Sequence, residues 1–136
     1  MFDCHFWLKI EDAPRHYWEP EKGYVDERRD EEVLAAIEKV VTKVWAACGF
    51  PNDALQFRVR DGVVFVTGMI LRNHPMGSPD QISHFLSEVG SKFPSSYGSL
   101  HAHSIDDWER PGCYIVFELA GQKVLRSERH YPAVGE

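Results

Sequence analysis

The chain has 136 residues, 43% of them hydrophobic and 26% charged, with a formal net charge of −6. That length suits one ordinary domain with a core of its own, so a single domain over residues 1–136 is expected, with no need of metal or disulfide support. No apolar run approaches the roughly 18 residues that span a bilayer, the opening residues lack the basic and apolar regions of an export signal, and the 3 cysteines show no metal-ligand spacing.

These features imply a cytoplasmic protein without membrane attachment, whose Cys4, Cys48 and Cys113 are reduced and mostly buried thiols. The charge is uneven. Residues 1–32 hold ten acids against five bases, while the remainder holds eleven acids against ten bases. A negative field of that kind repels phosphate backbones and attracts basic proteins, so direct nucleic-acid binding is not expected.

Cys4 to Ile10 alternates, with Cys4, Phe6, Leu8 and Ile10 on one side and His5, Trp7 and Lys9 on the other, as in a half-buried strand. From Glu11 to Arg29 the period disappears. Pro14, Pro20 and Gly23 punctuate a charged stretch that contains Tyr17, Trp18 and Tyr24, which reads as a long loop with aromatic anchors.

Asp30 can cap a helix whose first turn carries Glu31 and Glu32. Val33, Ile37, Val40, Val41, Val44, Trp45 and Cys48 define its apolar face until Gly49 and Pro51 stop it. Leu55, Phe57 and Val59 then alternate with Gln56, Arg58 and Arg60. Asp61-Gly62 is a strong hairpin signal that pairs Arg60 with Val63 and Val59 with Val64. In that register Val64, Val66, Gly68 and Ile70 share the inner face, Phe65 and Met69 lie outside, and Gly68 leaves room for a helix to approach.

Asn73 to Gly77 reads as a turn, and Ser78-Pro79-Asp80-Gln81 as a capping box opening a second helix, with Ile82, Phe85, Leu86, Val89 and Phe93 on its buried stripe. After Pro94, Tyr97 to Ile105 forms a strand with Leu100 and Ala102 inward and Ser99, His101 and His103 outward. Pro111-Gly112 marks another turn. Cys113 to Leu119 and Lys123 to Arg126 complete the strands, joined at Gly121-Gln122, and Ser127 to Glu136 forms a tail on the surface. The order implies an α+β fold, a mainly antiparallel sheet of about six strands with two helices packed on one face.

Three kinds of chemistry compete. His101 and His103 share one strand face, a spacing open to a metal if His5 or Asp106 supplies a further donor, which would suit a metal-dependent enzyme. Neither a His-Glu-x-x-His pattern nor a cysteine pair supports it, so no metal and no cofactor is expected. No Gly-x-Ser-x-Gly elbow or phosphate-binding glycine loop is present, and each cysteine sits in an apolar pattern where burial would blunt it, so no catalytic residue is assigned. The carboxylates Asp106, Asp107 and Glu109 around Trp108 suit recognition of a Lys- and Arg-rich partner instead.

His5-Phe6-Trp7 on the first strand, Pro94-Ser95-Ser96-Tyr97-Gly98-Ser99-Leu100 after the second helix, the acidic Asp106-Asp107 and Tyr131-Pro132 in the tail, in this order and spacing, resemble the immunity protein 7 family of bacterial polymorphic toxin systems. The resemblance covers most of the chain. It implies a small cytoplasmic α+β protein that is not an enzyme and binds a cognate toxin domain, often a nuclease, to neutralise it. It also makes Trp7 and Tyr97 family signatures kept for structural reasons, an aromatic pair on neighbouring strands rather than contacts with the toxin.

The contacts expected with such a toxin are Tyr17, Trp18 and Glu19 in the first loop and Asp106, Asp107, Trp108 and Glu109 in the second. A binding module with no toxin partner is the third reading. Trp7 and Phe65 on the outer sheet face would equally serve a homodimer contact, leaving monomer and homodimer both open.

Overall fold

The structure, a computed structural model, describes residues 2–11, 16–21, 23–26, 30–70, 79–104 and 113–130. Of Phe2, Asp3, 16–19, 23–26, Asn52, Pro79 and Ser104 it describes the backbone alone. The elements are β1 (Phe2–Glu11), β2 (His16–Glu19), β3 (Gly23–Asp26), α1 (Asp30–Ala47), β4 (Leu55–Arg60), β5 (Val63–Ile70), α2 (Pro79–Lys92), β6 (Tyr97–Ser104), β7 (Cys113–Ala120) and β8 (Lys123–His130), with a 3-10 turn at Asn52–Ala54 before β4.

Six strands form one antiparallel sheet in the order β4-β5-β1-β6-β7-β8, and β2 and β3 pair separately. The expected α+β fold is therefore present. The alternation in β1 buries Cys4, Phe6, Leu8 and Ile10, and the β4–β5 register places Arg60 opposite Val63 and Val59 opposite Val64, as the Asp61-Gly62 turn requires. Both turn residues have positive φ, 50° and 77°, the geometry whose twist suits a two-residue hairpin and which glycine adopts without strain.

Both helices cover the same face. Phe6 of β1 meets Trp45 of α1 at 5.3 Å and Phe85 of α2 at 5.7 Å between ring centroids, and Trp45 and Phe85 meet at 4.9 Å. This aromatic cluster joins sheet and helices at the centre of a core that also takes Ile37, Val41, Val66, Ile82, Leu86, Leu100 and Phe117. Burying a large apolar side chain stabilises by roughly 1.5–3 kcal/mol, so contacts of this kind hold the β-branched α1 more than its intrinsic propensity does.

α1 closes on a paired set of backbone bonds, Gly49 N–H to the Ala46 carbonyl at 2.9 Å and Phe50 N–H to the Trp45 carbonyl at 3.4 Å. The accompanying apolar contact is Trp45 against Phe50, 4.4 Å between ring centroids. The Trp45 indole N–H donates to the Pro51 carbonyl at 2.8 Å, so this large ring is buried with its polar atom satisfied.

Four expectations are corrected. Residues 11–29 are not wholly loop: β2 and β3 pair within them, Trp18 opposite Tyr24, and strands of four residues are too short to show a period. The last strand does not stop at Arg126. Ser127 to His130 continue β8 along β7, Tyr114 opposite Arg129, because an edge strand is held by its backbone ladder and can carry charge on both faces without alternating. Gly68 admits no helix: a side chain there would overlap the Phe6 ring. Cys113 is half-buried, not buried, with its Sγ 3.2 Å from Nδ1 and 3.3 Å from Nε2 of His130, while Cys4 and Cys48 are buried as expected.

The turn Asn73 to Gly77, Ser78 of the capping box, Pro111-Gly112 and the tail beyond His130 lie outside the described residues.

Candidate functional site

Alternation turns every second side chain of the sheet away from the helices, and the register aligns these side chains into rows across the strands. One row runs Arg58, Phe65, Lys9, Tyr97, Ala120, Lys123. The next runs Gln56, Thr67, Trp7, Ser99, Glu118, Leu125. A third contains Met69, His5, His101, Val116 and Ser127. The open face carries all the large hydrophobic side chains that are exposed among the described residues: Trp7 (44%), Phe65 (44%), Met69 (58%), Tyr97 (42%) and Leu125 (59%).

At the centre of this face the Trp7 and Tyr97 rings meet edge to face, 6.0 Å apart at 90°, the aromatic pair expected from the sequence. Lys9 lies between Phe65 and Tyr97 in its row, with its Nζ 5.3 Å from the Tyr97 ring centroid and 3.5 Å from a Glu11 carboxylate oxygen. Tyr97 first, and then Glu11, holds the ammonium above its ordinary pKa.

Along the third row the His5 and His101 rings stack at 5.1 Å, tilted by 20°. His101 stacks again on Tyr114, at 5.6 Å and 13°. Partial burial pushes the His101 pKa below its ordinary value, with the neighbouring His5 acting in the same direction and Glu118 opposing. His101 and His103 do share the outer face, as the spacing predicts. Among the described residues, however, no group of three or more His, Cys, Asp or Glu side chains gathers to hold a metal, and the alternative donor Asp106 lies outside them.

Burial pushes the Cys4 thiol up to about 12 and raises Cys48 as well, so neither is suited to nucleophilic work. Among the described residues no helix is long and apolar enough to cross a membrane.

The two loops singled out from the sequence are not brought together at their origins. Tyr17, Trp18 and Glu19 belong to the backbone of β2, and their side chains lie outside the described residues, as do Asp106, Asp107, Trp108 and Glu109 entirely. The chain leaves the sheet toward the first loop at Glu11 and toward the second at Ser104, which pairs with Phe2 at the other end of β1. At a strand rise near 3.3 Å per residue, the two departure points stand about 30 Å apart. The open face fills the distance between them. Its members Met69, Leu125, Arg58 and Lys123 were not singled out for function from the sequence, although alternation in β4 and β5 already placed Met69 and Arg58 outside the core.

Neither a search of curated proteins nor one of solved structures finds a match. The family described as Immunity protein 7 does match, over residues 1–133. With the α+β fold, the Trp7–Tyr97 pair and this coverage of nearly the whole chain, the protein belongs to the Immunity protein 7 family.

Proposed function

We propose that this immunity protein binds a cognate bacterial toxin domain one to one and neutralises it in the cytoplasm, and that the open face of the sheet, centred on Trp7 and Tyr97, is the contact surface. The observation that carries the reading is the gathering of the exposed large hydrophobic side chains on that one face, within a chain of an immunity family. Contiguous exposed apolar area rimmed by polar groups is characteristic of protein-binding surfaces. Tyr17, Trp18 and Glu19, and Asp106, Asp107, Trp108 and Glu109, add to the contact. A nuclease domain is the toxin class the family resemblance suggests. The protein acts by occupancy, without a catalytic step.

The test uses the toxin domain encoded beside this chain. Light scattering of the mixture should give a one-to-one complex, and co-expression should restore growth to cells producing the toxin. A variant with Trp7→Ala, Met69→Ala and Leu125→Ala should fold, by circular dichroism, yet fail to protect. Full protection by that variant would remove the open face from the interface, and loss of protection with Asp106→Lys, Asp107→Lys and Trp108→Ala would then place the contact on the second loop.

A further inference from the structure

We infer that the surface seated on the open face is that of a protein apolar at its centre and acidic along the two margins that face β4 and β8. This rests on the reading that the open face is the toxin contact. The chain as a whole is acidic, at −6, and a basic partner would follow if its charge were evenly spread. It is not. α1 and α2 carry Asp30, Glu31, Glu32, Glu38, Asp80 and Glu88 against Lys39, Lys43 and Lys92. Among the side chains described on the open face the balance reverses, with Lys9, Arg58, Arg60, Lys123 and Arg129 against Glu11 and Glu118.

The placement of these cations matters as much as their sign. Arg58 and Arg60 stand on β4 and Lys123 and Arg129 on β8, the two edge strands, beside Leu125 on β8, while Trp7, Phe65 and Tyr97 occupy β1, β5 and β6 between them, with Lys9 in their midst. Of the two acids, Glu11 is held by Lys9 at 3.5 Å. An apolar centre with a charged, solvated rim is the usual anatomy of a protein interface.

The size is of interface order. Six strands about 4.8 Å apart, and the outward positions of β1, the longest, about 6.6 Å apart, bound a face of roughly 24 by 26 Å, at most on the order of 600 Å², somewhat under the roughly 800 Å² each partner gives to a standard interface. A nucleic acid could meet cations and aromatic rings as well, but it would approach a chain whose net charge repels phosphate at long range.

One consequence concerns the mode of neutralisation. A phosphate-binding cleft is lined by cations, and Arg58, Arg60, Lys123 and Arg129 would repel it. A nuclease toxin docked on this face is therefore held by a surface outside its cleft.

The experiment is association kinetics of the full-length protein with the toxin domain over a range of salt. Two variants reverse charge on the open face, Arg58→Glu with Arg60→Glu on one edge and Lys123→Glu with Arg129→Glu on the other. A third, Glu31→Lys with Glu38→Lys, reverses it on the helix layer. Circular dichroism and melting establish that each is folded. Each open-face pair should slow association about tenfold at low salt and weaken its salt dependence, with the helix-layer pair no slower than wild type. Unchanged or faster association of both open-face pairs, in complexes that still form and still protect cells, overturns the acidic margins and leaves the immunity reading standing. Absence of any wild-type complex overturns the immunity reading itself. Salt-dependent binding of a single-stranded oligonucleotide that is lost in the open-face pairs, with no toxin complex, assigns the face to nucleic acid and overturns the inference.

Discussion

The Phe6 ring lies over Gly68 across the β1–β5 ladder and fills the space that a side chain at residue 68 would need. Phe6 cannot yield easily, because Trp45 and Phe85 pack against it from the two helices. Gly68→Ala should therefore destabilise the fold by about 1–3 kcal/mol through overpacking, measured as a shift of the urea midpoint. Adding Phe6→Leu should restore part of that loss, and strictly additive costs in the double variant would show that the two sites do not interact in this way.

Asp30 ties α1 to the β4–β5 hairpin by accepting the backbone N–H of Gly62 at 2.8 Å and of Asp61 at 3.2 Å through its two carboxylate oxygens. The helix is thus fixed to the turn beside which β1 ends, Glu11 opposite Val63. Asp30→Ala should cost about 1–2 kcal/mol, the range of charge-assisted bonds discounted for partial exposure. Hydrogen exchange should quicken at the Asp61 and Gly62 amides ahead of the rest of the sheet. Unaltered exchange there would mean these bonds contribute little.

His101 gives the stability a definite pH dependence. Its pKa lies below 6.5 in the folded chain, first through burial and then through His5, and returns to about 6.5 on unfolding. As pH falls through that value the unfolded state binds the proton first, so this contribution is intact above about 6.5 and is lost below it. His101→Phe keeps a ring to stack on Tyr114 and removes the titration. The drop in urea midpoint between pH 7.5 and 5.5 should shrink in the variant. A drop as large as that of wild type would assign the effect to other groups.

The three thiols should differ in reactivity. Cys4 and Cys48 are buried with raised pKa, while Cys113 is half-exposed and touches the His130 ring. Iodoacetamide at neutral pH should modify Cys113 alone in the native protein and all three thiols in urea, as mass spectrometry would show. His130→Ala should change the rate at Cys113 only. Labelling of Cys48 in the native state at a similar rate would contradict the packing of the α1 C-terminus.

Trp7 separates binding from folding. Its side chain is 44% exposed and rests on Tyr97, so Trp7→Ala should cost no more than about 1 kcal/mol of stability, the scale of an exposed cross-strand pair. A central aromatic residue in an interface typically contributes 2 kcal/mol or more, so toxin affinity should fall about 30-fold, mostly through faster dissociation. An affinity loss no larger than the stability loss would make Trp7 a structural residue only.

Much of this architecture is local and therefore legible in sequence. The alternation of Cys4 to Ile10, the apolar stripe from Val33 to Cys48 and the Asp61-Gly62 turn each report a period or a backbone angle that neighbouring residues set among themselves. They determined the two helices, the main strands and the inner and outer faces, while the Trp7–Tyr97 pair followed from the family resemblance. Short or edge-bound segments escaped, because β2 and β3 have too few residues to show a period and the end of β8 is held by the ladder to β7 instead of by a buried face.

Beyond the β4–β5 and β7–β8 hairpins read from their turns, the tertiary structure decided which strands are neighbours, since adjacency follows from how distant apolar faces bury together. That order puts β1 and β6 in the middle, directs the chain toward its two candidate loops from opposite ends of β1, and fills Gly68 with Phe6 instead of a helix. It also gathers Arg58, Arg60, Lys123 and Arg129, remote in sequence, onto the two edges of one aromatic face. Composition gives the sum of the charges, −6. Only the pairing of strands determines which of them face the same partner.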